Sequence, residues 1–317
     1  MNPISKRPSL MTKITVAALF GLAVLLLFTK ASDRSAQVRL SGPYLGQTPP
    51  GTTAKVFAPG IVSTAAHEFS CSFTPDGKEL YFTRRDPARG QNLIMVTKYI
   101  DGTWTDPVVV PFIQNRMSFE PRVTPDGSRL FFTWERPVPG QEGPPMNIWY
   151  VERKGEGWGE PVDPGRSLNP NKAMYVSVTL DGTVYTSDIS GGPGKEGIAV
   201  AKLIDGNYGD LERLPAPVNV GAQDMYPYVA PDESYLIFAS RRQSPPSNSG
   251  LFVSFRNPDR TWGEPRAIDL GLPAGLPLIS PDGKYLFFTA GERGKSDIYW
   301  VEARFLEILL RKQTPGP

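Results

Sequence analysis

Three acidic residues, Glu68, Glu120 and Asp224, stand at corresponding places along a chain that has one histidine, His67, and one cysteine, Cys71. Two carboxylates facing one cleft can cleave a glycosidic bond, one donating a proton while the other attacks or activates water. This trio is the candidate catalytic set if the protein is an enzyme. Arg84, Arg241 and Arg293 recur at a second set of corresponding places. A guanidinium fork there can grip the carboxylates of a peptide or a glycan through two parallel hydrogen bonds. Trp134, Tyr175 and Tyr226 add aromatic faces. With His67, these residues form the candidate ligand-binding set. The structural alternative for all of them is a belt of solvated charges and ion pairs.

Other chemistries find no residues to carry them. There is no Gly-x-Ser-x-Gly elbow, and a single histidine leaves no place for a serine hydrolase triad. The same count excludes a histidine-rich metal site, although carboxylates in a channel remain compatible with a calcium ion. No cofactor is expected beyond that. The formal net charge of +2, with no basic run outside the N-terminus, gives no reason to expect nucleic acid as a partner. Cys71 forms no internal disulfide and reads as a small apolar residue buried on a strand.

The candidate residues are positioned by a repeat. "FTPDGKELYFT" at 73 returns as "VTPDGSRLFFT" at 123, "VTLDGTVYTSD" at 178, "VAPDESYLIFA" at 229 and "ISPDGKYLFFT" at 279, which places the turn aspartates Asp76, Asp126, Asp181, Asp232 and Asp282 at intervals of 50, 55, 51 and 50 residues. Each unit carries four strand signals: a short alternating strand, a tight Pro-Asp-Gly turn, an apolar strand, a third strand such as "DIYWVE", and a fourth announced by an aromatic, Trp104, Trp158, Tyr208 or Trp262. Packing between sheets is the expected role of these aromatics. Four antiparallel strands repeated about every 50 residues predict an all-β β-propeller. The last repeat stops after its third strand, whereas "AKVFAPGIV" at 54–62 precedes the first and resembles the missing fourth. Pairing the two would close a ring of five blades and remove its edges; six blades is the alternative. In such a ring the long second-to-third loops and the candidate residues share the face opposite the Pro-Asp-Gly turns, where binding usually resides.

The "SPDGK.L.FT" core, followed by "DIYWVE" and "W.EP", resembles the WD40-like Pro-Asp-Gly repeat propellers related to TolB, over roughly residues 54–304. The resemblance implies a periplasmic binding module of a kind that binds other proteins; the expected partner here is an envelope protein or a glycan. The chain departs from that family in having five repeats where TolB has six, in leaving no room for a TolB-type N-terminal domain, and in carrying Leu180 for Pro and Glu233 for Gly. The rival is glycoside chemistry, since several glycoside hydrolase families build five-bladed propellers with acidic residues at the channel mouth, a position that Glu68, Glu120 and Asp224 would resemble.

Outside the repeats, Lys6, Arg7 and Lys13 precede a 16-residue uncharged stretch, Ile14–Thr29. Residues 1–31 are therefore expected to be a signal peptide or an N-terminal membrane anchor, which is the chain's one expected contact with a membrane. Residues 32–53 read as a linker and 305–317 as a C-terminal tail. The expectation is a monomeric, exported, non-catalytic binding propeller, with a glycoside-active enzyme as the alternative.

Overall fold

The computed structural model describes residues 40–136, 146–170, 173–221, 223–242, 250–292 and 294–311. The targeting segment at 1–31 and Arg293 lie outside them. Apolar side chains at alternate or consecutive positions, broken by Asp-Gly turns, leave each strand burying both faces against its neighbours. Five four-stranded antiparallel sheets result, arranged as the blades of a propeller.

The inner strands are Glu68–Phe73, Ser118–Val123, Ala173–Val178, Met225–Val229 and Gly275–Ile279. The second strands, Glu79–Asp86, Arg129–Glu135, Val184–Asp188, Tyr235–Ser240 and Tyr285–Glu292, pair with them across the repeat turns. In each turn the aspartate works locally. Asp76 accepts the Thr74 hydroxyl at 2.6 Å and the Lys78 N–H at 3.1 Å, and Asp126, Asp181 and Asp282 repeat the arrangement. These contacts hold the turn aspartates below the usual carboxylate range. Where the fourth repeat has Glu233 in place of glycine, the residue still adopts a left-handed backbone at φ 58°. Its carboxylate offsets that strain by accepting hydrogen bonds from Tyr185 of the third blade and from Arg256 and Arg260.

Three of the four fourth-strand aromatics pack on the preceding blade, as expected. Trp158 donates to the Tyr81 hydroxyl at 2.7 Å, Tyr208 meets Phe131 edge-on, and Trp262 meets Tyr185 in the same way. Ring closure also follows the expectation. Lys55 and Val56 pair with Trp300 and Tyr299 in the last blade. Phe57 follows, fully buried, with its ring 5.0 Å from Phe287 and 5.2 Å from Trp300.

Two peripheral stretches differ from their expected roles. Residues 40–53 do not behave as a tether. Leu45 is fully buried, Tyr44 sits among Phe73, Tyr285, Phe287 and Trp300 and donates to Asp282 at 2.7 Å, and Trp104 donates to the Gly42 carbonyl. The seam between the first and last blades offers apolar area that a short segment can cover, and burial there outweighs the entropy of ordering it. At the other end Phe305–Arg311 is a helix rather than a tail, laying Phe305, Leu306 and Leu309 against the core cluster shared by the first, fourth and fifth blades, with the Leu309 carbonyl accepting from Arg266 of the fourth blade. No described helix is long and apolar enough to cross a membrane.

Candidate functional site

Every inner strand carries one residue in the left-handed region at the same register: Ser70, Glu120, Tyr175, Tyr226 and Leu276, with φ between 49° and 59°. The ladder to the second strand skips at each of them. Such bulges re-aim a peptide group. Here they turn it toward the preceding blade, so that Ser70 N–H donates to Thr289, Glu120 N–H to Thr83 and Tyr226 N–H to Ser187, at 2.8–3.0 Å. Glu120, Tyr175 and Tyr226, three of the residues singled out from the sequence, thus occupy equivalent places in one ring.

Below that ring the channel is blocked. Tyr175 donates across it to the Pro277 carbonyl at 2.6 Å, and Arg122 donates to the Val176 carbonyl at 3.1 Å and to the Tyr175 hydroxyl at 2.5 Å. The two ends of the channel are therefore separate clefts.

The carboxylates expected to do chemistry have different environments. Glu68 is fully buried and paired with Arg84 at 2.7 Å, and its oxygens also accept the Thr64 N–H and hydroxyl. Arg84 Nη2 also donates to the Ile61 and Val62 carbonyls. The fourth blade repeats this clamp. Buried Asp224 accepts from Arg242, from Ser240 at 2.6 Å and from Val220 N–H at 2.9 Å, while Arg242 holds the Pro217 and Val218 carbonyls. In both blades the carboxylate caps the backbone four residues before it, and the arginine ties down the loop that enters the blade. Among the described residues Glu120 has no such cation. Burial, the largest influence, raises its carboxyl to about 8, against the hydrogen bonds from Thr133 and the Tyr175 N–H and the more distant charge of Arg122. At neutral pH it is mostly the neutral acid.

The remaining candidates divide between framework and surface. His67 is fixed by Ser296 and stacked on Phe69, and burial together with Arg85 lowers its pKa. Trp134, expected as an exposed aromatic, is fully buried, edge-on to Trp149 with Arg136 stacked over both rings. It is a core residue because it packs between the first and second blades, in one cluster with Leu93, Ile94 and Val96. Tyr175 is also buried, whereas Tyr226 is half-buried and meets it edge-on. Arg241 is exposed beside a cleft of about 280 Å³ between the fourth and fifth blades, with Gln223, Tyr226, Gly275, Gly291 and Ser296.

The arginine that clamps is Arg242, not its neighbour. Ser240 stands opposite Asp224's end of the inner strand, and the two-residue strand period puts Arg242 on Ser240's side and Arg241 on the other. That signal was in the sequence. Arg122 was missed altogether, although a second charge beside Glu120 within the short strand "SFEPRV" is itself a signal. Among the described residues no three histidines, cysteines or carboxylates converge as a metal site would require.

No family model and no curated protein matches the chain. Solved structures do. An α-L-arabinofuranosidase from Podospora anserina, in complex with cellotriose, matches with 9% identity and a TM-score of 0.50 over 80% of this chain and 96% of its own. A structure described as a glycoside hydrolase matches with 13% identity and a TM-score of 0.53 over 82% and 93%. TolB from Acinetobacter baumannii matches with 15% identity and a TM-score of 0.46 over 74% of this chain, which spans about half, 54%, of that protein. At these identities the likeness establishes the propeller fold alone.

Proposed function

We propose that the chain is an exported, non-catalytic binding propeller that captures an envelope protein or glycan on the face carrying Arg241 and Tyr226. The observation that carries this reading is the fate of the three carboxylates. Glu68 and Asp224 are buried in arginine clamps, which leaves Glu120 as the one member of the trio without an arginine and takes both of its expected partners out of play as nucleophile or base. Hydrolysis of a glycosidic bond needs both partners. Binding needs only a shaped surface with a few polar anchors, and the cleft between the fourth and fifth blades supplies the Arg241 guanidinium, which has no ion pair among the described residues, beside an aromatic ring. A periplasmic location belongs to the same proposal, because positive charge precedes Ile14 and the propeller follows it.

The test is a screen of the purified chain against a glycan library and against envelope extract, read for both retention and cleavage. Retention without cleavage, weakened at least tenfold by Arg241→Ala, is the expected result. Cleavage that disappears in Glu120→Gln while retention survives would establish the enzymatic alternative instead.

A further inference from the structure

Two residues beyond each bulge, the inner strands present a second ring, Ser72, Arg122, Ser177, Tyr228 and Leu278. All five line a cavity of about 230 Å³ at the Pro-Asp-Gly end of the channel, on the far side of the Tyr175 plug from the cleft described above. Arg122 is only 4% exposed, and among the described residues no carboxylate lies within ion-pair distance of it. Its Nε and Nη2 atoms are used on the Val176 carbonyl and the Tyr175 hydroxyl, but Nη1 is buried with no hydrogen-bond partner among the described residues. A buried cation without a counter-charge and with unused donors is a costly arrangement, of the kind that a ligand relieves.

The neighbouring groups sharpen the chemistry. Ser72 Oγ accepts the Val123 N–H at 2.9 Å and Ser177 Oγ accepts the Val229 N–H at 3.0 Å, so each hydroxyl has its own proton left to donate. The ring around the cavity thus offers donors from Arg122, Ser72 and Ser177. Above this layer the wall is mostly apolar, the Thr124 and Ser280 hydroxyls being used on Asp126 and Asp282, and the turn prolines Pro75, Pro125, Pro231 and Pro281 form its rim.

We propose that this cavity is a receptor for a single carboxylate carried on a short apolar chain, with the carboxylate on Arg122 and the apolar part against the proline rim. Either a small aliphatic acid or the free C-terminus of a polypeptide has that chemistry. The site is independent of the binding face proposed above, so either can fail without the other.

Calorimetric titration of the full chain tests it with hexanoate, with hexanamide as its neutral counterpart, and with an apolar tetrapeptide in its free-acid and C-terminally amidated forms. The expected result is that at least one acid binds at least tenfold more tightly than its amide, and that Arg122→Met abolishes the difference. Should that variant fail to fold, Ser177→Ala is expected to weaken the acid severalfold. Preference for hexanoate identifies a small-acid receptor, and preference for the peptide acid identifies a chain-terminus receptor. Equal binding of acids and amides, no binding by either acid, or acid binding lost in Arg241→Ala but kept in Arg122→Met would overturn the proposal.

Discussion

Replacing Asp224 by Asn separates a structural carboxylate from a catalytic one. Asp224 is fully buried and accepts from Ser240, the Val220 N–H and Arg242, whose own side chain is 17% exposed. Asparagine keeps the shape and one acceptor but leaves the guanidinium without its counter-charge. Breaking a buried pair by removing one partner costs about 3–5 kcal/mol. Arg242 retains partial exposure and two carbonyl partners, which places the expected loss near the lower end, about 3 kcal/mol. For a ring of this size that corresponds to a fall in Tm of roughly 6–12 °C. Arg242→Met strands the carboxylate in the same way. The double variant carries neither charge and should lose less than the sum of the single losses, by about 2 kcal/mol. Urea unfolding and scanning calorimetry on the wild type, both single variants and the double variant complete the cycle. If Asp224→Asn stays within about 1 kcal/mol of wild type and the coupling is near zero, the clamp is not structural, and Asp224 returns to the catalytic inventory.

Three further outcomes follow from other contacts. Phe57→Ala should cost about 3–5 kcal/mol in urea unfolding, because Phe57 is fully buried where the first strand closes the ring, whereas Val108→Ala on the exposed rim should cost less than about 0.5 kcal/mol; equal losses would refute closure as a source of stability. Glu120 should make the fold pH-dependent. Its folded pKa of about 8 lies above the ordinary 4.5, so between these values the folded chain holds a proton that the unfolded chain has released, and stability falls as pH rises through that window and levels off above it. Urea midpoints at pH 5 and pH 9 should differ more in wild type than in Glu120→Gln, and identical differences would refute the assignment. Trp158→Phe should cost about 1 kcal/mol through loss of the hydrogen bond to Tyr81, leaving that hydroxyl the Glu79 carboxylate as its partner; an unchanged thermal melting curve would count against that role.

The repeat turns were legible because their physics is local. Thr74, Asp76, Gly77 and Lys78 satisfy one another within five residues, so spacing alone identified the hairpins, and counting strands per repeat identified the missing one that Lys55 and Val56 supply. The candidate mouth was legible in part, since Glu120, Tyr175 and Tyr226 do occupy one ring. Which charges are free was not. Glu68 and Asp224 are consumed by arginines 16 and 18 residues away, and the bulge at each inner strand shifts register by an amount that no alternation pattern announces.

From its sequence this protein is a five-fold repeat of antiparallel hairpins with an N-terminal strand to close it, because turn geometry and strand alternation depend on residues a few positions apart. Tertiary structure alone decided that residues 40–53 are wall rather than tether, that Trp134 is core, and that Arg122 sits in a blocked channel with no ion-pair partner among the described residues. Each of those outcomes depends on what a different blade places opposite the residue, and ring closure sets those neighbours across separations of 50 residues and more.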